Sequence, residues 1–152
     1  NSIKNKKFDL IILADVLEHI KKDYKIIKIL ERNLKKNGKI LITVPAYQML
    51  FTHKDTVLGH YRRYNVNLIL KIFRNFAVIK LSYFNFFLFI PLSISLILLK
   101  VFNIKNFIDG VEKKPNLLIN SVLYLIFNFE SKIINYLNFP FGISILGIFQ
   151  KR

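Results

Sequence analysis

Between His53 and Tyr64 the chain reads HKDTVLGHYRRY, its densest cluster of groups able to do chemistry. Histidine ionises near neutral pH, so His60 is the first candidate for a base that takes a proton from an acceptor hydroxyl, and His53 with Asp55 is the second. Arg62 and Arg63 carry planar forks suited to a phosphate or carboxylate, and Tyr64 beside them completes a set of substrate-binding candidates. The competing account is a solvated basic loop whose histidines and tyrosines only pack its base. Upstream, Asp15, Glu18 and His19 bring carboxylates and an imidazole together, donors that can share one divalent ion. The plainer account has Glu18 and His19 hydrogen-bonded within their own turn.

The elements around these groups read as α/β. Phe8 to Ala14, FDLIILA, is a continuous apolar run that suits a strand buried on both faces of a parallel sheet. Lys21 to Lys36 places Tyr24, Ile27, Leu30 and Leu34 at helical spacing, with Asn37-Gly38 as its stop. Lys39 to Val44 is a second buried strand, closed by Pro45. Strand, helix, strand makes a βαβ unit, whose ligands sit beyond the carboxyl ends of the strands. Ala46 to Tyr64 has no clear period and reads as a long loop leaving that edge. Asn65 caps a helix through about Phe73, and Ala77 to Tyr83 is a third strand. Phe84 to Phe102 is almost free of charge, and three readings compete for it: a core helix pair, a helix lying in a membrane interface, and a true span. Asp109-Gly110 and Lys113 to Pro115 form a polar loop, Leu117 to Leu137 resumes helical periodicity around a lone Glu130, and Ile143 to Phe149 is a final strand.

A hydrophobic content of 53% over 152 residues excludes a disordered chain and fits one compact domain. The formal charge of +15 fits an anionic partner, nucleic acid or membrane, and equally a genome whose codon bias favours Lys, Asn, Ile and Phe. Cysteine is absent, which removes disulfides, thiolate metal sites and a thiol nucleophile.

FDLIILADVLEHI, Phe8 to Ile20, resembles the fourth strand and following turn of class I S-adenosylmethionine-dependent methyltransferases. LKKNGKILITVP, Leu34 to Pro45, resembles the helix end and fifth strand of that family in the same order. HKDTVLGHYRRY and NFPFGISILGIFQKR are similar to a subgroup of uncharacterised bacterial members linked with glycan or lipid-linked sugar assembly. Asp15-x-x-Glu18-His19 also resembles an E-x-x-E-H metal arrangement found in some methyltransferases, with Asp in place of the first Glu.

The resemblance implies a partial Rossmann-like sheet, strands 4, 5, 7 and 6 of the order 3-2-1-4-5-7-6, with an apolar helical insertion (84–138) before the last strand. Residues 1–152 are then the C-terminal part of one methyltransferase domain. The glycine-rich loop and the ribose-binding acid of the cofactor-binding half have no counterpart here, which leaves the first strand with an exposed apolar edge. Ala14, Asp15 and Val16 are expected to line S-adenosyl-L-methionine, against the plainer reading that Asp15 caps its turn. Methyl transfer goes to a hydroxyl of a glycan, lipid-linked or small-molecule acceptor, in the cytoplasm or at the inner face of the membrane, with peripheral contact through 84–102. The metal is a lesser expectation, and nucleic acid is disfavoured because the lysines are scattered. The rival from another class is a basic membrane-associated lipid-binding protein without catalysis.

Overall fold

The computed structural model describes residues 6–102 and 116–152. The polar loop expected at 109–115 lies outside the described residues. Four strands, β1 (Phe8–Ala14), β2 (Leu34–Pro45), β3 (Phe76–Phe84) and β4 (Ser144–Lys151), form one sheet in the order β1-β2-β4-β3. β1 and β2 are parallel, and β4 runs antiparallel to both β2 and β3. The three strands other than β4 therefore point the same way and deliver their carboxyl ends to one edge. This is the expected 4-5-7-6 order.

Helix α1 (Asp23–Asn33) links β1 to β2, and α3 (Val66–Ile72) precedes β3, its first turn capped by Asn65 Oδ1 accepting from Leu68 N. Both helices serve the same face of the sheet. Ile40, Ile42 and Val44 alternate onto that face from β2 and are fully buried with Ile27, Ile69, Ile145 and Phe149. Phe73 stacks on Phe149 with ring centroids 4.0 Å apart.

Two sequence-based boundaries move. α1 ends at Asn33, and β2 begins at Leu34 instead of Lys39. Asn37 has φ 63, so the left-handed residue sits in a register shift opposite Phe8–Leu10 and not at a helix end. Nor is β1 buried on both faces: Leu10 and Ile12 are 49% and 58% exposed, while Ile11 and Leu13 pack on the core. Among the described residues only β2 pairs with β1, so its other edge is open.

Helices α4 (Phe89–Val101) and α5 (Leu117–Ile133) lie between β3 and β4 in sequence, as the helical insertion requires. The reading of 84–102 as a core helix pair is corrected. Along α4 only Ser93 is buried, and Ile90, Ile94, Leu98 and Val101 stand 62%, 54%, 48% and 70% exposed, because no further layer covers them among the described residues. No described helix is long and apolar enough to cross a membrane.

The turn before β4 is tight. A Cβ on the buried Gly142 would collide with the backbone of Phe84, which cannot swing aside as a side chain can. Gly142→Ala is expected to cost roughly 1–3 kcal/mol, the usual range for overpacking, read as a lowered urea midpoint with unchanged slope.

Candidate functional site

Three residues at the carboxyl edge of the sheet adopt left-handed backbone without being glycine: Asp15 (φ 51), Tyr47 (φ 60) and Asn85 (φ 58). Asp15 directly follows β1, Asn85 directly follows β3, and Tyr47 lies two residues beyond β2. Such conformations disfavour ordinary side chains and persist where surrounding contacts impose them, commonly at functional sites. At Asp15 the imposing contacts come from β2. Its N–H donates to Thr43 O (3.0 Å) and lies 3.1 Å from Thr43 Oγ1, whose hydroxyl donates to Asp15 Oδ1 at 3.1 Å. Ala14, Asp15 and Val16 are all exposed there, so this turn offers open backbone and a small side chain at the strand end.

The chain next forms a short 3-10 turn, Leu17–His19, that buries Leu17 and Glu18 and leaves His19 exposed. Glu18 is 1% exposed, and its Oε2 has no hydrogen-bond partner. Loss of solvent pushes the Glu18 carboxyl above its usual range, with nearby Asp15 adding to the rise and His60 and His19 opposing it.

The 46–64 segment is more ordered than a loop. Thr52 and Asp55 form a capping box that opens α2 (His53–Val57). Gly59, at φ 78, turns the chain back, and Tyr61 N donates to Glu18 O at 2.8 Å. His60 thereby comes edge-on to His19, with ring centroids 4.6 Å apart.

Asp55 organises this return. It is 2% exposed and accepts from Thr52 N (2.8 Å), Thr52 Oγ1 (3.1 Å), Arg63 Nε (2.9 Å) and Arg63 Nη2 (3.0 Å), with His60 Nδ1 at 3.0 Å. Burial alone would raise the Asp55 carboxyl, but Arg63, Thr52 and His60 together hold it below its usual range. An ionised carboxylate only accepts, so His60 Nδ1 carries a proton, and in the neutral ring Nε2 is the nitrogen with the lone pair.

A second carboxylate ties the end of the segment down. Asp23 Oδ2 accepts from Arg62 Nη1 at 3.0 Å, and the Tyr64 hydroxyl lies 3.1 Å from Asp23 Oδ2 and 2.9 Å from Leu17 O. Arg62 also donates to Lys21 O at 2.7 Å. Tyr64 is 1% exposed, and desolvation with the Asp23 charge pushes its hydroxyl far up, so it stays protonated.

The residues singled out from sequence therefore separate. His60 and Asp55 meet beside Glu18 and His19, whereas His53 is exposed on α2. Arg62, Arg63 and Tyr64 are engaged by protein partners and brace the segment. The described donors within 4.8 Å of one another are Glu18, His19 and His60, and Asp15 is not in that group. Sequence reasoning passed over Asp23, which has no local signal, and Thr52, which the spacing Thr-x-x-Asp could have marked as a cap.

Beside the β1 turn lies a hollow of about 340 Å³ lined by Thr43, Phe84, Asn85, Phe127, Glu130 and Leu146, among others. It is mostly apolar. The buried Glu130 carboxylate accepts from Phe86 N at 3.0 and 3.1 Å. A larger cavity of about 370 Å³ between α1 and α3 lines up with none of these groups except Asp23.

The sheet order and its carboxyl-edge site define a Rossmann-like fold of the methyltransferase kind. The sequence model of the methyltransferase-domain family matches residues 2–42, about a quarter of the chain, from before β1 into β2. A candidate methyltransferase of Bacillus halodurans is similar in structure, with 15% identity and TM-score 0.51, covering 96% of this chain and 65% of its own. Phosphoethanolamine N-methyltransferase 2 of Haemonchus contortus, in complex with S-adenosyl-L-methionine, matches with 21% identity and TM-score 0.49 over 95% of this chain. The chain spans about a third of that enzyme's length. A search of the curated proteins finds no match.

If Tyr64 braces the segment, Tyr64→Phe should leave a buried carbonyl and carboxylate short of a donor and cost about 1–2 kcal/mol, measured by urea denaturation with secondary structure preserved.

Proposed function

We propose that this chain carries part of an S-adenosylmethionine-dependent methyltransferase that methylates a hydroxyl. The supporting observation is that the methyltransferase-domain match over 2–42 covers the very turn that the structure holds in left-handed geometry at the sheet's carboxyl edge. Ala14, Asp15 and Val16 fit one wall of a cofactor site, being consecutive, exposed and fixed by Thr43. The bound cofactor supplies a methyl group activated by a sulfonium.

The chain's own residues would then position the acceptor and remove its proton. As the acceptor oxygen bonds to the methyl carbon and the carbon–sulfur bond breaks, the hydroxyl proton leaves toward the Glu18–His19–His60 cluster. Asp55 holds His60 in the tautomer that leaves Nε2 free, which makes it a positioning residue. The apolar hollow at Thr43 and Glu130 suits an acceptor with a lipid or other apolar part.

A lipid surface is the proposed location of that acceptor. Leu118, Val122, Leu125 and Phe129 form an exposed stripe on α5, parallel in kind to the exposed Ile90, Ile94, Leu98 and Val101 of α4, and the net charge of +15 favours anionic headgroups. The non-catalytic lipid-binding rival gains no support, since His60 is mostly withdrawn from solvent and held by Asp55.

Calorimetric titration of S-adenosylmethionine into the full natural chain, wild type and His60→Ala, tests the reading. Retained binding with methyl transfer reduced at least 100-fold is expected for His60→Ala; absence of binding by the folded wild type refutes the reading. Separately, sedimentation with anionic vesicles should exceed that with neutral ones, and Leu118→Glu/Leu125→Glu should abolish it. Equal recovery from both vesicle types would remove the lipid assignment.

A further inference from the structure

We infer that Glu18, His19 and His60 form a binding site for one divalent transition-metal-type cation. One donor atom from each of the three lies within 4.8 Å of the others, with Glu18 buried, His60 partly buried and His19 exposed. The site faces outward, so an ion held there keeps open positions for exchangeable ligands.

The geometry is looser than a filled site. Bonds of about 2.0–2.1 Å in a tetrahedral shell place neighbouring ligand atoms about 3.4 Å apart. Of the three donors only His19 is exposed, so its side chain has the most room to close that distance.

Two features point to a cation. First, Glu18 Oε2 is buried without a partner, which is costly for a carboxylate unless a positive charge or a proton satisfies it. Second, His60 already has the outer support that ligating histidines carry: Nδ1 donates to a buried carboxylate, which leaves Nε2 as the ligating nitrogen, and Arg63 anchors that carboxylate in turn. The Gly59 turn, in left-handed backbone, keeps the His60 loop close to His19: a Cβ at Gly59 would lie 3.8 Å from His19 Nδ1. That turn sets the two imidazoles edge-on at 81° instead of stacked face to face.

The donor set also selects the ion. Two imidazoles and one carboxylate suit Zn²⁺, Co²⁺, Fe²⁺ or Mn²⁺ better than Mg²⁺ or Ca²⁺, which favour all-oxygen shells. The set differs from the one that sequence spacing suggests, since Asp15 is tied to Thr43 and His60 comes from 41 residues after His19. With an ion bound, His60 Nε2 is a ligand and no longer a proton acceptor, and the ion would orient and acidify the acceptor hydroxyl in its place; that role rests on the function proposed above. The binding itself does not.

The test is titration of tag-free full natural chain with Co²⁺, followed by visible absorption and calorimetry. Within these 152 residues no cysteine is present and only three histidines are, so substitution of each histidine assigns uptake to the site. One ion per chain is expected. Glu18→Gln and His60→Ala should each weaken it at least tenfold, and Asp55→Asn by about 10–100-fold, the range for an outer-shell partner. His53→Ala should leave the spectrum unchanged. His19→Ala, at an exposed position that folding does not depend on, should lose the spectrum even if a buried variant fails to fold. No saturable uptake, or uptake lost in His53→Ala and kept in His19→Ala, overturns the site. Titrating S-adenosylmethionine into the same preparation separates failure of the ion site from failure of the methyltransferase reading.

Discussion

The carboxylate of Asp55 is the contact on which the edge of this structure depends. It caps α2 through Thr52, fixes the tautomer of His60 and receives the fork of Arg63, all while almost fully buried. A buried charge with so many donors is stable only as a complete set, because removing any one donor leaves part of its desolvation unanswered. Asp23 repeats the arrangement a short way off, collecting Arg62 and Tyr64. Between them the two carboxylates fasten the 46–64 segment against the β1 turn, and the histidine geometry follows from that fastening.

The sheet supplies what the segment is fastened to. Because β1, β2 and β3 share a direction, their ends present Asp15, Tyr47 and Asn85 on one side, each forced into left-handed backbone. Interior packing by α1 and α3 leaves the opposite face and the β1 edge lightly covered, and α4 and α5 carry apolar surface outward. The molecule thus has one well-packed side and one side whose chemistry is directed at something else.

Much of this was legible in the residues. FDLIILA gives β1 to the residue, because a run of apolar side chains bounded by charge has few alternatives. The strand order followed from a family pattern, and Asn65 announced its helix as a cap. The start of β2 was not legible, since left-handed Asn37 before Gly38 serves a helix end and a strand irregularity equally well. Burial of Glu18 was hidden too: Leu-Glu-His reads as a turn hydrogen-bonded within itself until Tyr61 closes over the Glu18 carbonyl. The partners of Arg62 and Tyr64 lie 39 and 41 residues away at Asp23, a separation that local spacing cannot reveal. The exposure of α4 depended on what does not cover it, which no periodicity records.

The position of β4 has a consequence for how the chain comes into being. Of the four described strands it is the last to be synthesised, yet it lies between β2 and β3 and hydrogen-bonds to both. While the chain is still growing from the ribosome, β1–β2 and β3 are two unconnected pieces with bare edges facing each other. The sheet joins only when residues 144–151 emerge, so folding is necessarily late and dominated by distant contacts, and the nascent chain spends its synthesis in need of protection.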